Sequence, residues 1–212
     1  MTEKRVDLET WPRRGQYAWF RQYDRPHYAT TTRMDVTGLM TRAKPEGVSV
    51  YRASLHAIAT GLEAVPELKM RFRGDQVVQH DKLRVSFTVP NVGGAFSYAY
   101  VAYEPDFTLF DAAAAAEIAQ AAARVDLSPN DGACDDLAYL SCMPWIDYTS
   151  LNNAMPHKDD CIPRVSWGKI VQEGDQWRMA MTLEVHHALV DGEQVGAYFT
   201  AVQAAFARFA QT

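Results

Sequence analysis

Residues 176–192, QWRMAMTLEVHHALVDG, decide how this chain folds. Between positions 176 and 187 the apolar residues Trp177, Met179, Met181, Leu183 and Val185 recur at every second place, which predicts a β-strand with that row on one face. The same alternation puts His187 on the apolar side and turns His186 the other way. Asp191-Gly192 then allows a turn, and Val195, Tyr198, Phe199, Val202, Phe206 and Phe209 follow at helical spacing. An amphipathic helix over residues 192–209 is therefore expected to pack back on the sheet.

Upstream, Glu173-Gly174-Asp175 predicts a hairpin turn joining a strand at 164–172 to the strand just described. The alanine-rich residues 111–124 predict a helix. Val50, Leu55, Ile58, Ala59 and Leu62 form the stripe of another, capped by Ser49 and ended before Pro66. Residues 27–33 read as a strand, after which Asp35 caps a helix that Pro45 and Gly47 stop near residue 44. Strands are expected at 68–72 and 76–80 around Gly74-Asp75, at 85–89, and at 96–103. Near the N-terminus, Pro12 sits in the first turn of a short helix whose aromatic residues lie on one side. Hairpins and helices alternate with no repeating βα unit, so the class is α+β, a sheet sandwiched with helices in one domain spanning residues 1–212.

Composition removes several function classes. A formal charge of −5 offers no basic field for a phosphate backbone, so nucleic acid is not an expected partner. No stretch approaches the roughly 20 apolar residues of a membrane span, and the charged N-terminal segment has no apolar signal core, so no membrane association and a cytoplasmic location are expected. Cys134, Cys142 and Cys161 form no C-x-x-C pair and read as reduced thiols, Cys142 as a small buried filler. His27, His56, His80 and His157 lack ligand spacing, and no metal site is expected.

A histidine at the end of an apolar row is ordinarily a core residue with one satisfied nitrogen. The run from His186 to Gly192 sets His187 in a different context: it is an H-H-x-x-x-D-G signature, and with it the chain resembles the chloramphenicol acetyltransferase family. Other matches follow in family order. They are Trp11-Pro12-Arg13-Arg14 before an aromatic helix, Ser141-Cys142-Met143-Pro144-Trp145, and Ser166-Trp167-Gly168-Lys169 with the Glu173-Gly174-Asp175 turn. The resemblance covers nearly the whole chain and implies a two-layer sandwich, a mixed sheet flanked by helices.

That resemblance implies an antibiotic-resistance acyltransferase that moves acetyl from acetyl-CoA, a co-substrate and not a bound cofactor, to a hydroxyl of chloramphenicol. His187 would be the general base of a ternary complex, since a hydroxyl at neutral pH is a weak nucleophile. Ser141 would donate to the oxyanion, and Ser166 would hold a water beside it. Asp191 would pair with Arg13 as structural support for the turn, and Trp19, Phe20, Phe96, Trp145 and Asn153 would contact substrate. A homotrimer with active sites between subunits is implied as well.

The chain departs from the family around the substrates. Glu193-Gln194 follows the signature where Phe-His is usual, Asn153 stands where an acceptor-pocket leucine is usual, and Ile170 where a tyrosine near the cofactor is common. Polar groups at an apolar wall bring a different hydroxyl acceptor into play beside chloramphenicol. The dehydrogenase-complex acyltransferase core shares H-x-x-x-D-G but follows a lipoyl domain and linkers, and a peptide-synthetase condensation domain needs about twice this length. A trimeric small-molecule binding protein without turnover is the non-enzymatic alternative.

Overall fold

The computed structural model describes residues 2–130 and 134–211. Its centre is a six-stranded sheet in the order β2-β9-β8-β7-β5-β6. The strands are β2 (His27–Asp35), β5 (Arg84–Pro90), β6 (Phe96–Ala102), β7 (Leu137–Met143), β8 (Arg164–Glu173) and β9 (Gln176–His186). β5 and β8 each run parallel to β7, and the remaining neighbours are antiparallel, which makes the sheet mixed. A smaller sheet sets β4 (Gln76–His80) between β1 (Glu3–Arg5) and β3 (Met70–Arg73). Gly74 and Gly174, with φ of +63° and +62°, make the two tight hairpin turns, a backbone region that favours glycine.

Helices α2 (Val50–Ala64), α3 (Phe107–Ala122) and α4 (Gly192–Arg208) cover one face of the large sheet. Leu55, Ile58 and Leu62 of α2, Phe110 of α3, and Val195, Tyr198, Val202 and Phe206 of α4 pack there on Phe87, Val101, Leu140, Val165, Met181 and Leu183. This is the sandwich expected from the sequence, with burial of the helical stripes as its main driving force.

The opposite face is built from polar residues in register. Thr31, Thr182, Ser166 and Ser141 are successive partners across β2, β9, β8 and β7. Phe87 pairs with Leu140, so the next positions, Thr88 and Ser141, share the continuing rung, and Thr88 pairs with Tyr98. All six residues of the rung carry a hydroxyl. A second rung runs Glu184, Arg164, Tyr139, Ser86 and Tyr100. The residues after β7 fold partly over this face: Tyr148 donates to the Ser166 carbonyl at 2.7 Å and accepts from Thr182 at 3.3 Å.

Several boundaries differ from expectation. Pro12 lies outside α1 (Arg14–Phe20), which begins after Arg13 and buries no residue. The segment after Asp35 is a short π-helical turn, Leu39–Ala43, although Asp35 does accept from the Thr37 amide at 2.8 Å. The third helix starts at Phe107, capped by Asp106, because its first turn is aromatic and only the later turns are alanine-rich. A 3₁₀ turn at Pro66–Lys69 delays β3 to Met70. β1 and β7 carry too weak an alternation to have been read as strands from sequence.

Candidate active site

His187 stands one residue past β9, where the chain turns towards α4. Its amide donates to the Pro26 carbonyl at 2.9 Å, and its own carbonyl accepts from Arg13 at 3.3 Å, so the backbone is held from both sides. The imidazole lies flat on Phe20, with ring centroids 3.8 Å apart and planes within 7°. Tyr28 closes the other side at 4.6 Å. Nδ1 is buried and finds no hydrogen-bond partner among the described residues, while the residue as a whole is half-exposed.

The turn beneath this ring is cross-tied. Asp191 caps α4 through the Glu193 amide at 3.2 Å, and Gln194 returns a bond to the Asp191 amide at 3.1 Å, completing a capping box. Arg13 pairs with the Asp191 carboxylate and reaches Gln194 at 3.4 Å. The departure Glu193-Gln194 therefore has a local role: Gln194 belongs to the cap. The Tyr28 hydroxyl donates to the Val190 carbonyl at 3.3 Å, and burial beside the Asp191 carboxylate pushes its pKa up to about 12, so it remains a phenol.

His186 has the opposite surroundings. Its Nε2 bonds the Lys158 carbonyl at 3.0 Å and its Nδ1 accepts from the Ala188 amide at 3.1 Å, which fixes a neutral ring with the proton on Nε2. Burial, then the nearby His27 and Arg21, push its pKa down to about 4. It is a structural residue behind His187.

Ser141 lies elsewhere. It lines a cavity of about 410 Å³ on the polar face with Ser86, Tyr98, Tyr139 and Asn153. Ser166 sits beside it in the rung, with its hydroxyl 3.4 Å from Asn153 Oδ1. Asn153 in turn donates its backbone amide and its side chain to Glu184 Oε2 at 2.5 and 2.9 Å. Thr182, the register partner of Ser166, is five residues before His187 and two strands from Ser141. At roughly 3.3 Å per residue and 4.8 Å per strand, His187 and Ser141 are about 19 Å apart within one chain. They also point to opposite sides of the sheet.

The remaining sequence candidates divide. Phe20 contacts His187, and Asn153 lines the Ser141 cavity. Phe96 packs edge-on, at 5.6 Å, against Tyr98, which lines that cavity. Trp19 and Trp145 are 61% and 81% exposed on the single chain. Cys142 is half-buried, and desolvation pushes its thiol up to about 11, which leaves it a poor nucleophile at neutral pH. Among the described residues no cluster of histidine, cysteine and carboxylates could hold a metal ion, and no helix is long and apolar enough to cross a membrane.

Sequence reasoning did not find Ser86, Thr88, Tyr98, Tyr100, Tyr139, Arg164 or Glu184. Their signal was the alternate polar residues of each strand, such as Thr182, Glu184 and His186, which an eye set on the apolar row passes over.

The sequence model described as "Chloramphenicol acetyltransferase" matches residues 1–203. A chloramphenicol acetyltransferase 2 of Escherichia coli is 28% identical over 205 residues, 96% of each chain. A solved chloramphenicol acetyltransferase superposes with a TM-score of 0.86 at 23% identity, covering 97% of this chain and 100% of that one. The cubic core of a pyruvate dehydrogenase complex shares the fold more distantly, with a TM-score of 0.66 at 16% identity, covering 91% of this chain and 86% of that one.

Proposed function

The chain belongs to the chloramphenicol acetyltransferase family and is an acyltransferase, and from that premise we propose that it transfers acetyl from acetyl-CoA to a hydroxyl of a small acceptor in one step, with His187 as general base. The observation that carries this reading is the His187 ring itself. It is held against Phe20 and Tyr28, its backbone is tied to Pro26 and Arg13, and its Nδ1 is buried, which leaves Nε2 for the reaction.

In the base form the imidazole carries its proton on Nδ1 and takes the acceptor proton on Nε2. The freed oxygen attacks the thioester carbonyl, and the tetrahedral oxyanion accepts a hydrogen bond from the Ser141 hydroxyl. Collapse breaks the C–S bond, and the departing thiolate recovers the proton from His187 as CoA–SH. General-base assistance of this kind contributes about 10²–10⁴-fold, and one oxyanion donor about 10²–10³-fold. Ser166 holds Asn153 and the solvent next to that oxyanion. Arg13 and Asp191 do not touch the reactants; they hold the turn that presents the base.

The separation of His187 and Ser141 supports a shared site. One chain cannot supply both groups to one substrate, whereas a cyclic assembly in which His187 faces the polar sheet face of the next copy can. We place the active sites between the subunits of a homotrimer on this ground.

Chloramphenicol is the acceptor that the names of the relatives suggest. A different hydroxyl compound is the second reading, favoured by polar Asn153 in the cavity lining, where it is held from behind by Glu184. The test is thiol release from acetyl-CoA with chloramphenicol and a panel of hydroxyl compounds, with His187→Ala as control. Acceptor-dependent release that vanishes in the variant is expected. Equal rates for variant and parent would remove His187 from its role, and binding without turnover would favour a non-catalytic binding protein.

A further inference from the structure

The cavity that holds Ser141 is about 410 Å³, a volume suited to a small ligand of monosaccharide to disaccharide size. Its floor is the polar face of β5, β6 and β7. Thr88, Tyr98 and Ser141 present hydroxyls that take no intrachain hydrogen bond among the described residues. Ser86 goes further: the residue is 1% exposed, and its buried Oγ makes no well-formed hydrogen bond, only a looser approach to the Tyr100 phenol, which itself donates to the Ser128 carbonyl at 3.1 Å. A buried hydroxyl without a well-formed bond is costly, and a ligand that bonds it removes the cost.

Charge narrows the ligand. The one cation of the lining, Arg164, is committed to Asp160 at 2.7 Å and to the Ile162 carbonyl at 3.1 Å, and no carboxylate lines the cavity among the described residues. This floor therefore offers a ligand no unpaired charge, which favours a neutral one. Tyr98, Tyr100 and Tyr139 add ring faces against which a C–H-rich ring surface can lie, each carrying a polar tip. A flat apolar group has poor company here, with Leu140, Pro129 and Ala154 as the purely apolar lining. Covering this floor with an aryl ring would strand several hydroxyls away from water.

We propose that the acceptor is a neutral polyhydroxylated molecule, a sugar or polyol, seated over Ser86, Thr88 and Tyr98 with the hydroxyl to be acetylated at Ser141. The proposal rests on the acetyl-transfer reading for its reaction but not for its binding. One acetyl ester forms, the thioester breaks, and the acceptor proton leaves as that of CoA–SH.

Binding and turnover are measured separately on the full chain. Calorimetry uses methyl α-glucopyranoside, methyl β-galactopyranoside, myo-inositol and sorbitol, with chloramphenicol alongside, and thiol release uses the same five compounds with acetyl-CoA. At least one polyol is expected to bind saturably and to be acetylated with kcat/KM about tenfold or more above chloramphenicol. Ser86→Ala and Tyr98→Phe, each keeping shape and parent melting temperature, are expected to weaken that polyol about 3–10-fold, the size of one lost hydrogen bond. If no polyol binds or turns over, or if both variants leave the polyol untouched, the proposal is overturned whatever happens with chloramphenicol. Polyol binding that both variants weaken, without thiol release from any acceptor, would instead sink the acetyl-transfer reading and leave the pocket assignment standing.

Discussion

The imidazole of His187 and the ring of Phe20 are stacked face to face, 3.8 Å between centroids and 7° from parallel. Such a stack, with Tyr28 tilted against the ring at 4.6 Å, fixes the imidazole plane more firmly than its hydrogen bonds do, since Nδ1 has none among the described residues. Aromatic pairs contribute about 0.5–1.5 kcal/mol beyond their buried area. Phe20→Leu keeps the apolar volume but loses the flat contact, and is expected to lower kcat about tenfold with a smaller change in KM. Steady-state kinetics of the purified variant checks this, and an unchanged kcat would mean that the ring is held by something other than Phe20.

Arg13 and Asp191 join the N-terminal segment to the start of α4. The aspartate has two duties, the ion pair and the helix cap, and substitution can separate them. Asn caps helices nearly as well as Asp, so Asp191→Asn loses chiefly the pair with a nearly buried Arg13, whereas Asp191→Ala loses both. The Asp191 side chain is partly exposed, which softens the loss, and we expect about 1–2 kcal/mol for Asn and about 2–4 kcal/mol for Ala, read by denaturant unfolding. Activity should fall in step with stability. A fully stable Asp191→Asn protein without activity would show that the carboxylate acts directly in the reaction.

The fold was legible in the sequence because it rides on apolar periodicity, and the same alternation set the face of His187, whose role as base was implied by the family resemblance alone. Val185 and Leu183 announce the strand, Val195 to Phe209 the helix, and His187 marks the break between them. What was not legible depends on register across strands. Thr31, Thr182, Ser166, Ser141, Thr88 and Tyr98 come from six different strands, and nothing local says that they share a rung. Asp191 was legible as a partner for Arg13 through the family resemblance, but its cap with Gln194 was not, since Glu193-Gln194 looked like a change at the substrate side. Trp19 and Trp145 were drawn in as substrate contacts through the family resemblance, and both are exposed on the single chain.

His186 predicts how stability responds to acid. Its folded pKa is about 4 against an ordinary 6.5, so between these values the unfolded chain binds a proton that the native chain refuses. The stabilisation is complete above about pH 6.5 and is lost as pH falls towards 4, by at most about 3 kcal/mol at 1.36 kcal/mol per unit. Protonating Nδ1 would also cost the Ala188 amide its acceptor. Buried His56, whose pKa is lowered by desolvation as well, adds a similar trend. His186→Asn should be less stable than the parent at pH 7.5 yet lose less on going to pH 4.5. Urea unfolding at the two values decides it, and parallel losses in both proteins would show that His186 does not titrate on unfolding.

The distance between His187 and Ser141 makes the strongest demand on assembly. If both groups serve one reaction, the base comes from one copy and the hydroxyl from its neighbour, and two inactive variants should repair each other. His187→Ala retains an intact polar face, and Ser141→Ala retains an intact base. Unfolded together in equal amounts and refolded, they would form mixed trimers in which about a quarter of the interfaces pair a native His187 with a native Ser141. Activity is therefore expected to rise to about a quarter of the parent's, while each variant refolded alone stays at its own low level. Mixing the folded proteins without exchange should give nothing. A mixture no more active than the average of its parts would place the two groups in separate functions, and would leave Ser141 to the sheet and not to the chemistry.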